Sequence, residues 1–100
     1  MTNREICLKA AERLREVGWR QGGYGGEDGP HCILGACQWA AAWYTNAAAA
    51  RMVARRAARA AVQTPCTTNY CDRGGNTPIA WNDEPGRTME EVIAVLEACP

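Results

Sequence analysis

Apolar positions recur at helical spacing at both ends of the chain, and these two stretches frame everything between them. Cys7, Ala10, Ala11, Leu14 and Val17 share one face with Ile6 beside them, which predicts an amphipathic helix from about Asn3 to Val17. Thr2 and Glu5 have capping-box spacing at its start, and Gly18 stands where a helix stop is wanted. On the solvated side, Glu5 with Lys9 and Glu12 with Arg15 are spaced to pair. Near the C-terminus Met89, Val92, Ile93 and Leu96 repeat the stripe and Cys99 extends it. Thr88 and Glu91 form a second capping box there, and Glu90 and Glu91 favour the positive end of the helix dipole. Just before it, Ile79, Ala80 and Trp81 read as a buried, strand-like lead-in. Asn82, Asp83, Pro85 and Gly86 then read as a turn, with Asp83 able to reach the backbone or Arg87.

The middle of the chain is less regular. Residues 19–30, WRQGGYGGEDGP, hold five glycines and predict a connection without regular structure, pinned to the core by Trp19 and Tyr24. The run lacks the spacing of a phosphate-cradling loop. Asp28 and Pro30 lead into a second helix, and from Ile33 to Tyr44 the only polar side chain is Gln38. A helix apolar on all sides belongs at the centre of a fold, and Gly35 with Ala36 lets a neighbour approach closely. Thr45 and Asn46 can cap a third helix over about Ala47–Gln63, although one unbroken helix through position 45 is equally compatible with these residues. Residues 64–78, TPCTTNYCDRGGNTP, have no hydrophobic period and read as an irregular loop.

Composition sharpens this into an all-α expectation. One hundred residues suffice for a single domain with a thin core, the chain contains no Phe, and much of its apolar content is Ala, which suits close helix packing. The bulky core residues are therefore expected to be the four tryptophans and the aliphatics, with Tyr24, Tyr44 and Tyr70 as further candidates. The architecture expected is a compact bundle of three to four helices, with the second helix central and the last docked beside the first. No apolar signal-peptide core and no membrane-length apolar run is present, so a cytoplasmic protein with reduced or metal-bound cysteines is expected.

Charge is zero overall but unevenly placed. Residues 51–62 carry Arg51, Arg55, Arg56 and Arg59 with no acid, whereas residues 63–100 carry a net −4. Arg51, Arg55 and Arg59 lie four apart on one helical face, with Arg56 near. That row is either a solvated face or a contact surface for an acidic protein partner or a nucleic-acid backbone. The Ala-rich faces over 47–61 also leave pairing between copies open.

Catalytic chemistry finds little to work with. Cys32 and Cys37 are spaced C-x4-C, as are Cys66 and Cys71, and His31 adjoins the first pair. The four thiols form an alternative zinc or iron–sulfur set. Within one helix, however, Cys32 and Cys37 would point about 140° apart. A nucleophilic cysteine would need His31, the only histidine, which is its chain neighbour and is badly placed to activate it. The chain has no serine. The expectation is a protein without enzymatic activity or cofactor.

The order Gly18-Trp19, Cys32-x-x-Gly35-Ala36, and then Trp81-Asn82-Asp83 with Gly86-Arg87-Thr88 resembles a family of small helical proteins of unknown function in actinobacteria and their phages. The resemblance covers most of the chain outside roughly 45–78, and Cys37, Cys66 and Cys71 are not part of its pattern. It implies that Trp19, Cys32, Gly35, Trp81, Asn82, Asp83, Arg87 and Thr88 are a structural signature. It also implies a phage-encoded accessory protein that binds and modulates a host protein in the host cytoplasm. The functional surface is then expected on the variable middle of the chain.

Overall fold

The computed structural model describes residues 2–23, 29–62 and 78–100. Five helices occur among them: α1 (Asn3–Val17), α2 (Ile33–Ala41), α3 (Ala47–Val62), α4 (Pro78–Asn82) and α5 (Met89–Glu97). The chain is all-α, with one short helix more than the sequence suggests. Both capping boxes are read correctly at their first hydrogen bond: the Thr2 hydroxyl accepts from the Glu5 amide at 3.1 Å, and the Thr88 hydroxyl from the Glu91 amide at 3.2 Å. At α1 the box is closed by the Glu5 carboxylate, which accepts from the Thr2 amide at 3.0 Å. Gly18 ends α1 with φ 95°, a conformation that costs a residue with a Cβ about 1 kcal/mol or more.

Residues 33–62 form two helices. The turn at Ala42–Thr45 separates them, and the Asn46 side chain accepts from the Ala49 amide at 2.9 Å to start α3. The strand-like lead-in at Ile79–Trp81 is corrected: these residues belong to α4. Pro78 supplies a preset φ at the first helical position, and Asn82, the last residue of the short run, is buried.

α2 packs against α1, α3 and α4, and α5 lies along α1 and α3. The central position expected of the second helix therefore holds. The contents of the core differ from expectation. Ile6, Leu14, Ile33, Val92 and Leu96 are the large aliphatic side chains in full burial, each contributing roughly 1.5–3 kcal/mol. Around them the core is built of alanines from α1, α2 and α3 and of Cys7, Cys37 and Cys99.

The tryptophans are not its centre. Trp19, Trp39 and Trp81 pack half-buried at its edge, Trp43 is 66% exposed, and Tyr44, also expected in the core, is exposed beside it. Small residues let helices approach closely, and that closeness leaves no room inside for an indole ring. The pairs expected along α1 are also redistributed. Glu5 serves the cap, Lys9 sits over Trp43 at 4.7 Å, and Arg15 reaches Glu97 across the α1–α5 seam at 2.8 Å.

Candidate interaction surface

Two clusters of chemistry stand out, and only one of them faces solvent. The first is a buried knot around Asn82, the last residue of α4. Its side chain is fully buried, and each of its four hydrogen-bonding positions is used. Asn82 Oδ1 accepts from the Trp19 indole N–H at 2.6 Å and from the backbone N–H of Ile33, the first residue of α2, at 2.9 Å. Asn82 Nδ2 donates to the Arg20 carbonyl at 3.1 Å and to Asp83 Oδ1 at 3.0 Å. Asp83 in turn accepts from the Gly22 amide at 3.0 Å, and Gln21 bridges the Asn82 and Glu84 carbonyls. The Cys32 thiol caps α2 from its own chain, accepting from the Gly35 amide at 3.3 Å.

Asn82 is thus not a turn residue. It closes α2's N-terminus from a distant part of the chain, satisfying a donor that the helix itself leaves orphaned. No local pattern marks such a role, because an Asn beside a turn reads the same whether it faces water or a helix end.

Arg87 braces the same region from outside. Its guanidinium lies over the Trp81 ring at 3.9 Å, its Nε donates to the Trp81 carbonyl at 3.0 Å, and it pairs with Glu84 and Glu91 at 2.6 and 3.0 Å. Its acidic partners are these glutamates, and Asp83 instead accepts from the Gly22 amide and the Asn82 side chain. The Arg87 hydrogen bond holds the Glu91 carboxyl below its ordinary value.

The other candidate groups for chemistry are committed to structure. His31 is buried and its Nε2 accepts from Arg13 Nε at 3.2 Å, while its backbone bridges to Gly18 and Arg20. Cys37 lies in the core beside Cys7, whereas the Cys32 thiol is engaged in capping α2. Hydrogen bonding from Cys37, and then burial, push the Cys7 thiol far up; burial, and then Cys7, push Cys99 up to about 12. Cys66 and Cys71 lie outside the described residues, as do Tyr24, Asp28 and most of the loop over 64–78. Among the described residues, no group of three His, Cys, Asp or Glu side chains is placed to hold a metal ion.

The second cluster is the outer face of α3. Ala50, Ala54, Ala57, Ala58 and Ala61 are buried, Arg51, Arg55 and Arg56 on the other side are exposed, and Arg59 is half-buried. Met52 stands among them at 68% exposure. Arg55, Arg56, Arg59, Met52 and Ala60, with Asn3 at the start of α1, line an open trough of about 520 Å³. Met52 belongs to this surface and was not singled out by sequence reasoning, although steps of 100° per residue place it between the arginines. A separate aromatic edge is formed by Trp39 and Trp43, whose rings meet edge-on at 5.8 Å with Lys9 and Arg13 over them.

The fold and its surfaces define a small all-α bundle, locked by a buried amide knot and carrying one arginine-rich helix face. The chain belongs to DUF6197, a family of unknown function, with the match spanning residues 1–99. No curated protein and no solved structure matches it. Among the described residues no helix is long and apolar enough to cross a membrane.

Proposed function

We propose that this protein is a small, non-enzymatic interaction module that binds an acidic protein surface through the outer face of α3. The observation that carries the reading is Met52, 68% exposed on a helix whose residues 51–62 include four arginines and no acid. An apolar centre ringed by arginines has the composition of a binding hot spot, where Met and Arg are enriched. The absence of a catalytic role is supported by the commitment of His31, Cys32 and Asp83 to hydrogen bonds within the fold. The actinobacterial and phage setting implied by the sequence signature makes a host cytoplasmic protein the natural partner.

The test is affinity capture from an actinobacterial lysate with the wild-type protein and with the R51E/R55E/R56E variant. Protein captured by the wild type alone, and lost at high salt, supports the reading. Equal capture by both removes it. Retention of nucleic acid instead, sensitive to nuclease and to the same substitutions, would move the face to a phosphate-backbone role.

A further inference from the structure

We propose that Cys7 and Cys99 are a redox-active thiol pair, which a low-molecular-weight disulfide converts to an intramolecular bond clasping the end of α5 to α1. The pair is independent of the α3 face.

Cys7 is fully buried where α1 meets α3, and its thiol donates to the Ala57 carbonyl at 3.4 Å. Cys99, 1% exposed, follows α5 and is held down on α1 by Arg4. The Arg4 guanidinium donates to the Cys99 carbonyl at 2.9 Å and to the Glu97 carbonyl at 3.4 Å. Arg4 and Cys7 lie three residues apart on α1 and so share a face. Cys99 is thereby set against Cys7, and the two thiols are within hydrogen-bonding reach of each other.

Cys37 also adjoins Cys7, but it is fixed within the regular turns of α2. A disulfide needs particular Cβ positions and a particular dihedral angle. Cys99 stands in irregular backbone past Glu97, so it can turn to meet those demands without shifting a helix.

The thiolate is the reacting species, and burial keeps both thiols protonated while the core is closed. Release of the Arg4 hydrogen bonds exposes Cys99 to water, where it regains ordinary acidity. Its thiolate attacks one sulfur of the small disulfide and expels a first thiolate, which takes up a proton. Cys7, uncovered by the same movement, loses its proton and attacks the Cys99 sulfur, expelling the second. The two protein thiols give up two electrons and two protons, and the small disulfide leaves as two thiols. The rate therefore follows the opening of the α5 end, and the bond once formed holds that end shut.

The test incubates the full, reduced chain with oxidised glutathione, quenches with acid, alkylates, and identifies linked peptides by mass spectrometry. A Cys7–Cys99 link is expected in the wild type and in C37A and is absent from C99A. The linked chain should melt higher than the reduced one by roughly 10 °C or more, because the bond closes most of the chain into one loop. R4A should speed linkage by roughly fivefold, the factor expected for loss of one net hydrogen bond. Cys7 joined to Cys37, bridging confined to other cysteines, a glutathione adduct stalled on Cys99, or both thiols left free would each overturn the pair. An unchanged rate in R4A would overturn the opening of the α5 end as its gate.

Discussion

Replacing Asn82 by Ala removes one buried amide and leaves several groups behind it. The backbone N–H of Ile33 is buried and loses its acceptor, at a cost of about 1–3 kcal/mol. The Trp19 indole N–H is part-buried and regains some hydration, so roughly 1 kcal/mol is assigned to it. The Arg20 carbonyl belongs to an exposed residue and turns to water at little cost. Adding a small cavity of about 1 kcal/mol gives a destabilisation of roughly 3–5 kcal/mol. Against a total stability of about 5–15 kcal/mol this is a large fraction, and it corresponds to a fall in Tm of roughly 15–30 °C.

Urea unfolding followed by circular dichroism and by Trp fluorescence measures it. N82D separates the two halves of the amide: it keeps the acceptor for Ile33 and Trp19 but turns an oxygen toward the Arg20 carbonyl and Asp83. Its carboxyl is held protonated by the fold, so its folded pKa lies above its unfolded one. The pH-dependent part of the N82D penalty is therefore absent below the ordinary Asp value of about 3.9 and grows as pH rises above it. N82A remaining within about 1 kcal/mol of wild type, or an N82D penalty independent of pH, would refute the capping role.

Three further outcomes are expected. Because Cys7, Cys32 and Cys99 have thiol pKa values raised above the usual 9.0, the unfolded chain ionises first as pH climbs. Stability present at neutral pH is then lost from about 9 upward; urea melts at pH 7, 9 and 10 should show it, with C99A flattening the trend. R87A should cost about 1–3 kcal/mol through the lost Trp81 and glutamate contacts, and R87K should recover little because an ammonium reproduces neither the planar stack nor the fork; thermal melts of both variants decide this. T88A should cost about 1 kcal/mol by uncapping α5, seen as faster amide exchange at Met89–Glu91, and unchanged exchange there would count against the cap.

Local rules carried the helices. Thr2 with Glu5, Thr88 with Glu91, Gly18 and the two apolar stripes each act within one turn of the chain, so spacing alone located α1 and α5. The row of Arg51, Arg55, Arg56 and Arg59 was legible for the same reason, and its exposure follows from alanines occupying the opposite side of α3.

Tertiary structure decided what depends on contacts between distant segments. Ile79–Trp81 became helical, Asn82 became a cap for α2, and Trp43 was left outside a core too tightly built from alanine to admit it. Cys7, Cys37 and Cys99 met in that core from distant parts of the chain, because burial gathers small apolar groups regardless of their separation in sequence. Periodicity reports which face of a helix is apolar; which partner covers that face, and which polar group must be brought in to satisfy a buried helix end, is set only when the helices pack.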